Sequence, residues 1–388
     1  MFQFINKSKN WVVTIVLAII IGLAVPSLIA LASSVIGDNM VITNPTEQLR
    51  LNYSVSTTTS FFTNEQGNFI LTLSGGYGGL QIINNSISPN IVGGYSGNII
   101  DDDLFESAIL SGGFNGGANE IGVSVSVISG GAGNIIRNNV FPGDNGQGNI
   151  IGGGSRNKIQ GSMPYGSAIV GGFQNIIGDG SDVSTGGNIS FIGGGERNKT
   201  RGSSYATIVG GQDNISWHYG FVGGGAQNVA GTSTKHYSVA VGGKFNTASG
   251  YNSMILGGDT NTASGTLSFA SGKRAKAYND GSFIWADSNN FDFLSAVNNE
   301  TAFRSTGGVR FVTAIDGSGN ATRTAQFATT GDLNLNGGIK LNTVTAKPAC
   351  SSTYRGMFWV TQSAADVEDL VEACTKRADN SYSWKALY

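Results

Sequence analysis

The chain is poor in charge. Asp, Glu, Lys and Arg make up only 12% of its 388 residues, against about a quarter in ordinary globular domains. The formal net charge of −2 provides no overall basic field, so no nucleic-acid partner is expected. There are only two histidines, His218 and His236, which leaves little material for a metal site or a general base. The two cysteines, Cys350 and Cys374, both lie near the C-terminus. No Gly-rich stretch ends in Gly-Lys-Ser/Thr, since Lys244 is followed by Phe245, and no G-x-S-x-G occurs. A nucleotide cradle and a serine nucleophile on its elbow are thus not expected. No enzyme activity and no cofactor are expected.

Glycine, by contrast, is abundant at 59 residues, without the every-third spacing of collagen. Aromatic and β-branched residues are plentiful, which argues against disorder. The composition describes an ordered, Gly-rich, all-β protein.

Between about Ile91 and Ala277 the chain repeats itself. Two apolar residues precede Gly-Gly, two variable residues follow, and then comes Asn, as in Gly171-Gly172-Phe173-Gln174-Asn175 and Gly242-Gly243-Lys244-Phe245-Asn246. The repeat asparagines of the clear copies are Asn157, Asn175, Asn198, Asn214, Asn228, Asn246 and Asn261, at steps of 18, 23, 16, 14, 18 and 15 residues. Weaker copies end at Asn98, Asn119 and Asn134. A unit of about 14 or 15 residues is too short for a helix pair or a propeller blade and fits one coil of a β-solenoid. The apolar pairs (Ile169-Val170, Ile208-Val209, Ile255-Leu256) are strand formers. Gly supplies turns, and Asn tolerates the left-handed region and bonds neighbouring backbone. Stacked coils would place the asparagines above one another as a ladder. About eleven coils at about 4.8 Å each give a length of roughly 50 Å.

The remaining segments fall on either side. Residues 1–32 carry Lys7 and Lys9 before an uncharged apolar run from Trp11 to Ala32. Two readings stand: a signal peptide cut after Ala30-Leu31-Ala32, or a retained signal-anchor helix crossing the membrane. Either places the rest outside the cytoplasm, at the cell surface or secreted. Residues 33–76 read as a small β module, 77–277 as the repeats, 278–345 as a β-rich connector and 346–388 as a C-terminal β module. In that last module Ala364 to Ala373 is open to a short helix. A Cys350–Cys374 disulfide is expected outside the cytoplasm.

The repeats resemble the heads of the YadA-like trimeric autotransporter adhesins, most clearly at Ala240-Val241-Gly242-Gly243-Lys244-Phe245-Asn246-Thr247-Ala248-Ser249-Gly250. The resemblance implies a left-handed parallel β-roll, a homotrimer of side-by-side chains, and attachment to a host, matrix or glycan surface. The heptad stalk and C-terminal barrel segment of that family do not follow Ala277.

Two other functions are compatible with the sequence. A carbohydrate-active solenoid would need paired carboxylates in a groove, for which Asp101 to Asp103, or Asp179 with Asp182, are candidates beside Trp217 and Tyr219. A surface-layer spacer would need no site. A calcium roll repeats Asp, where this chain repeats Asn.

Overall fold

A computed structural model of the chain describes residues 5–7, 10–12, 49–53, 57–63, 69–72, 78–138, 146–161, 164–178, 189–202, 205–335, 347–361, 363 and 365–387. They form two compact units, Met1–Arg304 and Ser305–Tyr388.

The first unit is a parallel β-solenoid of about eleven turns. Each turn contributes one short strand to each of two sheets. The first sheet takes the residues before Gly-Gly. It runs from Asn90–Gly94 through strands such as Ala168–Ile169, Thr207–Ile208 and Val239–Ala240 to Thr301–Arg304. The second sheet takes the residues after Asn, in twelve strands from Ile99–Ile100 to Phe293–Leu294. Pairing sets each repeat position on itself: Ile208 on Val222, Val222 on Ala240, Ala240 on Ile255.

The alternation of each strand decides what lies between the sheets. Ile109, Ile128, Ile151, Ile169, Ile192 and Ile208 of the first sheet point inward and are fully buried. In the second sheet the inward column changes along the stack. It begins with Ile121, Ile136, Ile159 and Ile177, passes through Thr200 and Ser216, and ends with Ala230, Ala248 and Ala263, all buried. The interior is therefore isoleucine-rich in the first coils and alanine-lined in the later ones.

The N-terminal end of the stack is covered. At the start, Leu49–Tyr53, Thr57–Thr63, Phe69–Thr72 and Gly79–Ile83 form an antiparallel meander that pairs onto Asn90–Gly94, the first solenoid strand. A paired edge is closed to further strands. At the other end the parallel stacking runs past Ala277, the expected end of the repeats, through Phe283–Ala286 to Thr301–Arg304. Backbone ladder and apolar interior suffice to continue it there without the Gly-Gly-x-x-Asn signature. On the final strand the Arg304 guanidinium binds Asp287 Oδ1 at 2.9 Å and donates to the carbonyls of Lys273 and Asn289 at 3.1 and 2.9 Å.

The N-terminal helix expected over Trp11 to Ala32 is not shown. Asn10–Val12 pairs antiparallel with Ile5–Lys7, and residues 13–32 lie outside the described residues. Among the described residues no helix is long and apolar enough to cross a membrane.

The second unit holds two three-stranded antiparallel sheets. Val309–Ile315, Ala321–Phe327 and Leu333–Leu335 form one; Phe358–Thr361, Leu370–Lys376 and Tyr382–Ala386 form the other. The segment left open to a helix thus ends in strand, because Leu370–Lys376 is the central strand of its sheet. Cys350 and Cys374 are disulfide-bonded. Beside them the Trp384 indole N–H donates to Pro348 O at 2.9 Å, and Lys347 lies 5.0 Å from the Trp384 ring centre.

Candidate functional site

The repeat asparagines are wholly inside. Asn157, Asn175, Asn198, Asn214, Asn228, Asn246 and Asn261 are each 0% exposed. Asn175 shows the pattern. Its Nδ2 donates to Gly171 O of its own coil at 3.1 Å, to Gly195 O of the next coil at 2.9 Å, and to Asn157 Oδ1 at 3.1 Å. Its Oδ1 accepts the backbone N–H of Asn198 at 3.0 Å. The chain of such bonds starts at Asn98 and stops at Asn261, whose Oδ1 accepts the N–H of Ala275 at 2.9 Å. These residues build the scaffold and face no ligand.

The left-handed conformation expected of Asn belongs instead to the residue before it. Arg156, Gln174, Arg197, Asp213, Gln227, Phe245 and Thr260 have φ between 54° and 60°. Asn can then bury its amide while its neighbour turns the corner outward. A second left-handed corner follows the second-sheet strand, at Ile189, Tyr205, Tyr219, Tyr237 and Leu267, with φ between 49° and 61°. A non-Gly residue pays roughly 1–2 kcal/mol for that conformation. Sequence reading had no signal for the first of these corners, because its residues share no chemical type; at the second, Tyr205, Tyr219 and Tyr237 recur.

Three outward surfaces result. The first is a stacked aromatic column at the second corner. Ring centres of Tyr205 and Tyr219 are 5.0 Å apart, those of Tyr219 and Tyr237 are 4.7 Å apart, and those of His218 and His236 are 4.8 Å apart. Trp217 lies beside this column under the Arg201 guanidinium, 5.7 Å from it. The rings cover one another's faces and leave hydroxyls and edges to solvent.

The second is the outer face of the first sheet, which is largely apolar, interrupted by Ser129 and Thr207. Leu110, Val170, Val209, Val241 and Leu256 are 40–57% exposed there. Bulk alternates with its absence. Phe191 stands on a strand whose other outward position is Gly193, and the next strand places Thr207 and Val209 at the same two positions. A Cβ on Gly193 would lie 2.3 Å from Val209 O, so the small position is obligatory.

The third is a groove along the first corner and the outer face of the second sheet, with a volume of about 560 Å³. Arg156, Lys158, Arg197 and Lys199 line it, with Asp213 at one end and Phe114 at the other. Arg197 is forked onto Asp213 through Nε and Nη2 at 2.8 and 2.9 Å and also meets Glu196. These contacts raise the Arg197 pKa. The Arg197 hydrogen bonds, followed by the nearby Arg197 and Lys199 charges, hold the Asp213 carboxyl below the usual carboxylate range.

Asp101 to Asp103 do not converge with the aromatic loop. Asp101 hydrogen-bonds to the strand of Ile121, and Trp217 to the strand of Ala230. The strands that lead into Asp101 and Trp217 are six places apart in the second sheet, about 29 Å at the usual strand spacing. Asp179 and Asp182 lie outside the described residues. Among the described residues no group of three or more His, Cys, Asp or Glu side chains could hold a metal ion.

No protein-family model, curated protein or solved structure matches this chain.

Proposed function

We propose that the chain is an exported, non-enzymatic surface fibre. Three copies pack side by side through the apolar outer face of the first sheet, and attachment is by avidity. The carrying observation is that face. Contiguous exposed apolar surface beyond a few hundred Å² marks an interaction site, and here it continues from coil to coil. The alternation of Phe191 over Gly193 with Thr207 beside Val209 supplies knobs and hollows that a second copy of the same face can fill. A homotrimer would present each outward column three times, and linked weak sites gain from raised effective concentration.

The remainder of the reading rests on the sequence. The likeness of Ala240 to Gly250 to YadA-like head repeats supports a left-handed roll and attachment to a host, matrix or glycan surface. The apolar run from Trp11 to Ala32 supports export, with the chain either anchored there or released by cleavage after Ala32. Analytical ultracentrifugation of residues 33–388 tests the assembly. A trimer is expected; a monomer at micromolar concentration removes both the trimer and the avidity argument.

A further inference from the structure

The groove at the first corner carries a charge pattern that apolar assembly does not use. Arg156 and Lys158 sit on one coil, and Arg197 and Lys199 sit two coils further on. The coil between them offers Gln174 and Ile176 at the same two positions. The groove therefore presents two cationic pairs separated by a neutral step, about 9.6 Å apart at the usual strand spacing.

The two pairs differ in what already holds them. Arg197 is fixed by Asp213 and Glu196. Neither Arg156 nor Lys158 forms an ion pair with any described carboxylate; Arg156 lies 6.0 Å from the Phe173 ring centre. Both arginines also occupy left-handed corners, at φ 56° and 54°; the coil before Arg156 uses Gly133 there and the coil before Arg197 uses Gln174. Glycine would remove that strain, yet two guanidinium groups are held outward there instead.

We propose that this groove binds a linear acidic polysaccharide laid along the solenoid axis. Arg156 with Lys158, and Lys199 two coils on, would engage carboxylate or sulfate groups on alternate sugars, the Arg197 fork being taken by Asp213 and Glu196. Two coils match the disaccharide repeat of an extended acidic glycan, so anions on every second sugar meet both cationic coils while the neutral coil passes the uncharged sugar. The Arg156 guanidinium can pair with carboxylate or sulfate oxygens in a bidentate way. Ile176 and the exposed Phe114 at the end of the groove give apolar surface for sugar C–H faces. Nucleic acid fits less well, because the cations are confined to one groove of a chain with net charge −2, and phosphate-driven binding needs many more neutralised contacts. This names a ligand class for the attachment proposed above. The site lies on a single chain, so it does not need the trimer.

The test is isothermal titration of the full chain with size-defined heparin and hyaluronan fragments, with uncharged dextran and a single-stranded oligonucleotide as comparisons. The variants are R156Q/K158Q, R197Q/K199Q and their combination, with R310Q/R323Q as a charge-matched control outside the solenoid. Binding of at least one acidic glycan, a loss of tenfold or more in each groove variant and no change in the control are expected. Because Arg156 and Lys158 pair with no described carboxylate, the R156Q/K158Q variant reads ligand binding with every described ion pair left in place. Absence of glycan binding, equal losses in the control, or an oligonucleotide that binds as tightly as the glycans would each overturn the assignment. Sedimentation of the same samples separates the two proposals. A trimer that ignores acidic glycans sinks only the groove, and a monomer that binds them sinks only the trimer.

Discussion

The side-chain oxygen of Asn175 accepts the backbone N–H of Asn198, 23 residues later, at 3.0 Å. The same contact joins Asn214 to Asn228 across only 14 residues, at 2.9 Å. One hydrogen bond thus spans chain segments of very different length with the same geometry, and it ties the corner of each coil to the next.

Asn175→Ala should therefore cost more than an average polar deletion. It strands the buried Asn198 N–H, and an unmet buried group costs about 1–3 kcal/mol. It also removes two bonds to glycine carbonyls. A loss of about 3 kcal/mol is expected from urea unfolding. Asn175→Asp should be worse, since it turns a carboxylate oxygen toward those carbonyls. A loss within error for either would mean the ladder contributes little.

Adjacent glycines should behave oppositely. A Cβ on Gly211 would lie 2.1 Å from Gly225 O, and its φ is +91°. Gly210 has open space and no such φ. Gly211→Ala should destabilise by about 3 kcal/mol or more. Gly210→Ala should be neutral or stabilise by about 0.4–1 kcal/mol, by narrowing the unfolded ensemble. Paired thermal melts distinguish them.

Val209→Asp with Leu256→Asp places charge on the apolar face without touching the interior, because both side chains point outward and are about half exposed. Sedimentation should shift to the monomer, while the circular dichroism spectrum stays that of the parent. Unchanged mass would place the assembly surface elsewhere.

The Arg197–Asp213 pair should give a small pH-dependent term. Its carboxyl titrates lower when folded than when unfolded, so its contribution is fully present above the unfolded value of about 3.9. That contribution disappears as pH falls through the lower folded value. Asp213→Asn should melt slightly below the parent at neutral pH, and the difference should close in strong acid. The gap stays small because the pair is exposed. A gap that widens on acidification would contradict the assigned direction.

Reduction of Cys350–Cys374 frees a loop of 24 residues' separation, for which chain entropy gives roughly 3 kcal/mol. Reductant should lower the transition of the Ser305–Tyr388 unit, read by tryptophan fluorescence, and leave the solenoid transition in place. A single transition moving as a whole would show that the two units unfold together.

The solenoid was legible because its signals repeat. Gly-Gly, the apolar pair and Asn each recur in register, and ten coils say the same thing. The left-handed corners before each Asn were not legible, since Arg156, Gln174 and Asp213 share no chemistry and only backbone geometry unites them. The continuation to Arg304 was equally silent in sequence: after Asn261 the Asn disappears, and Ala275 N–H takes the last bond without leaving a mark in composition. The groove was missed for a related reason. Arg156 and Arg197 are 41 residues apart in sequence, and only the differing coil lengths bring them two strands from one another.

Among the clear copies that length variation falls on one edge. From Gly-Gly to Asn the spacing is constant in the clear copies, with each Asn amide reaching back four residues to its own glycine. In the clear copies the extra residues enter between a second-sheet strand and the following first-sheet strand, as between Ile177 and Phe191 or Ala230 and Val239. One side of the molecule keeps time while the other can be rewritten. Insertions there change what is displayed without breaking the Asn bonds. Sequence can thus be added along that edge while the Asn spine is kept.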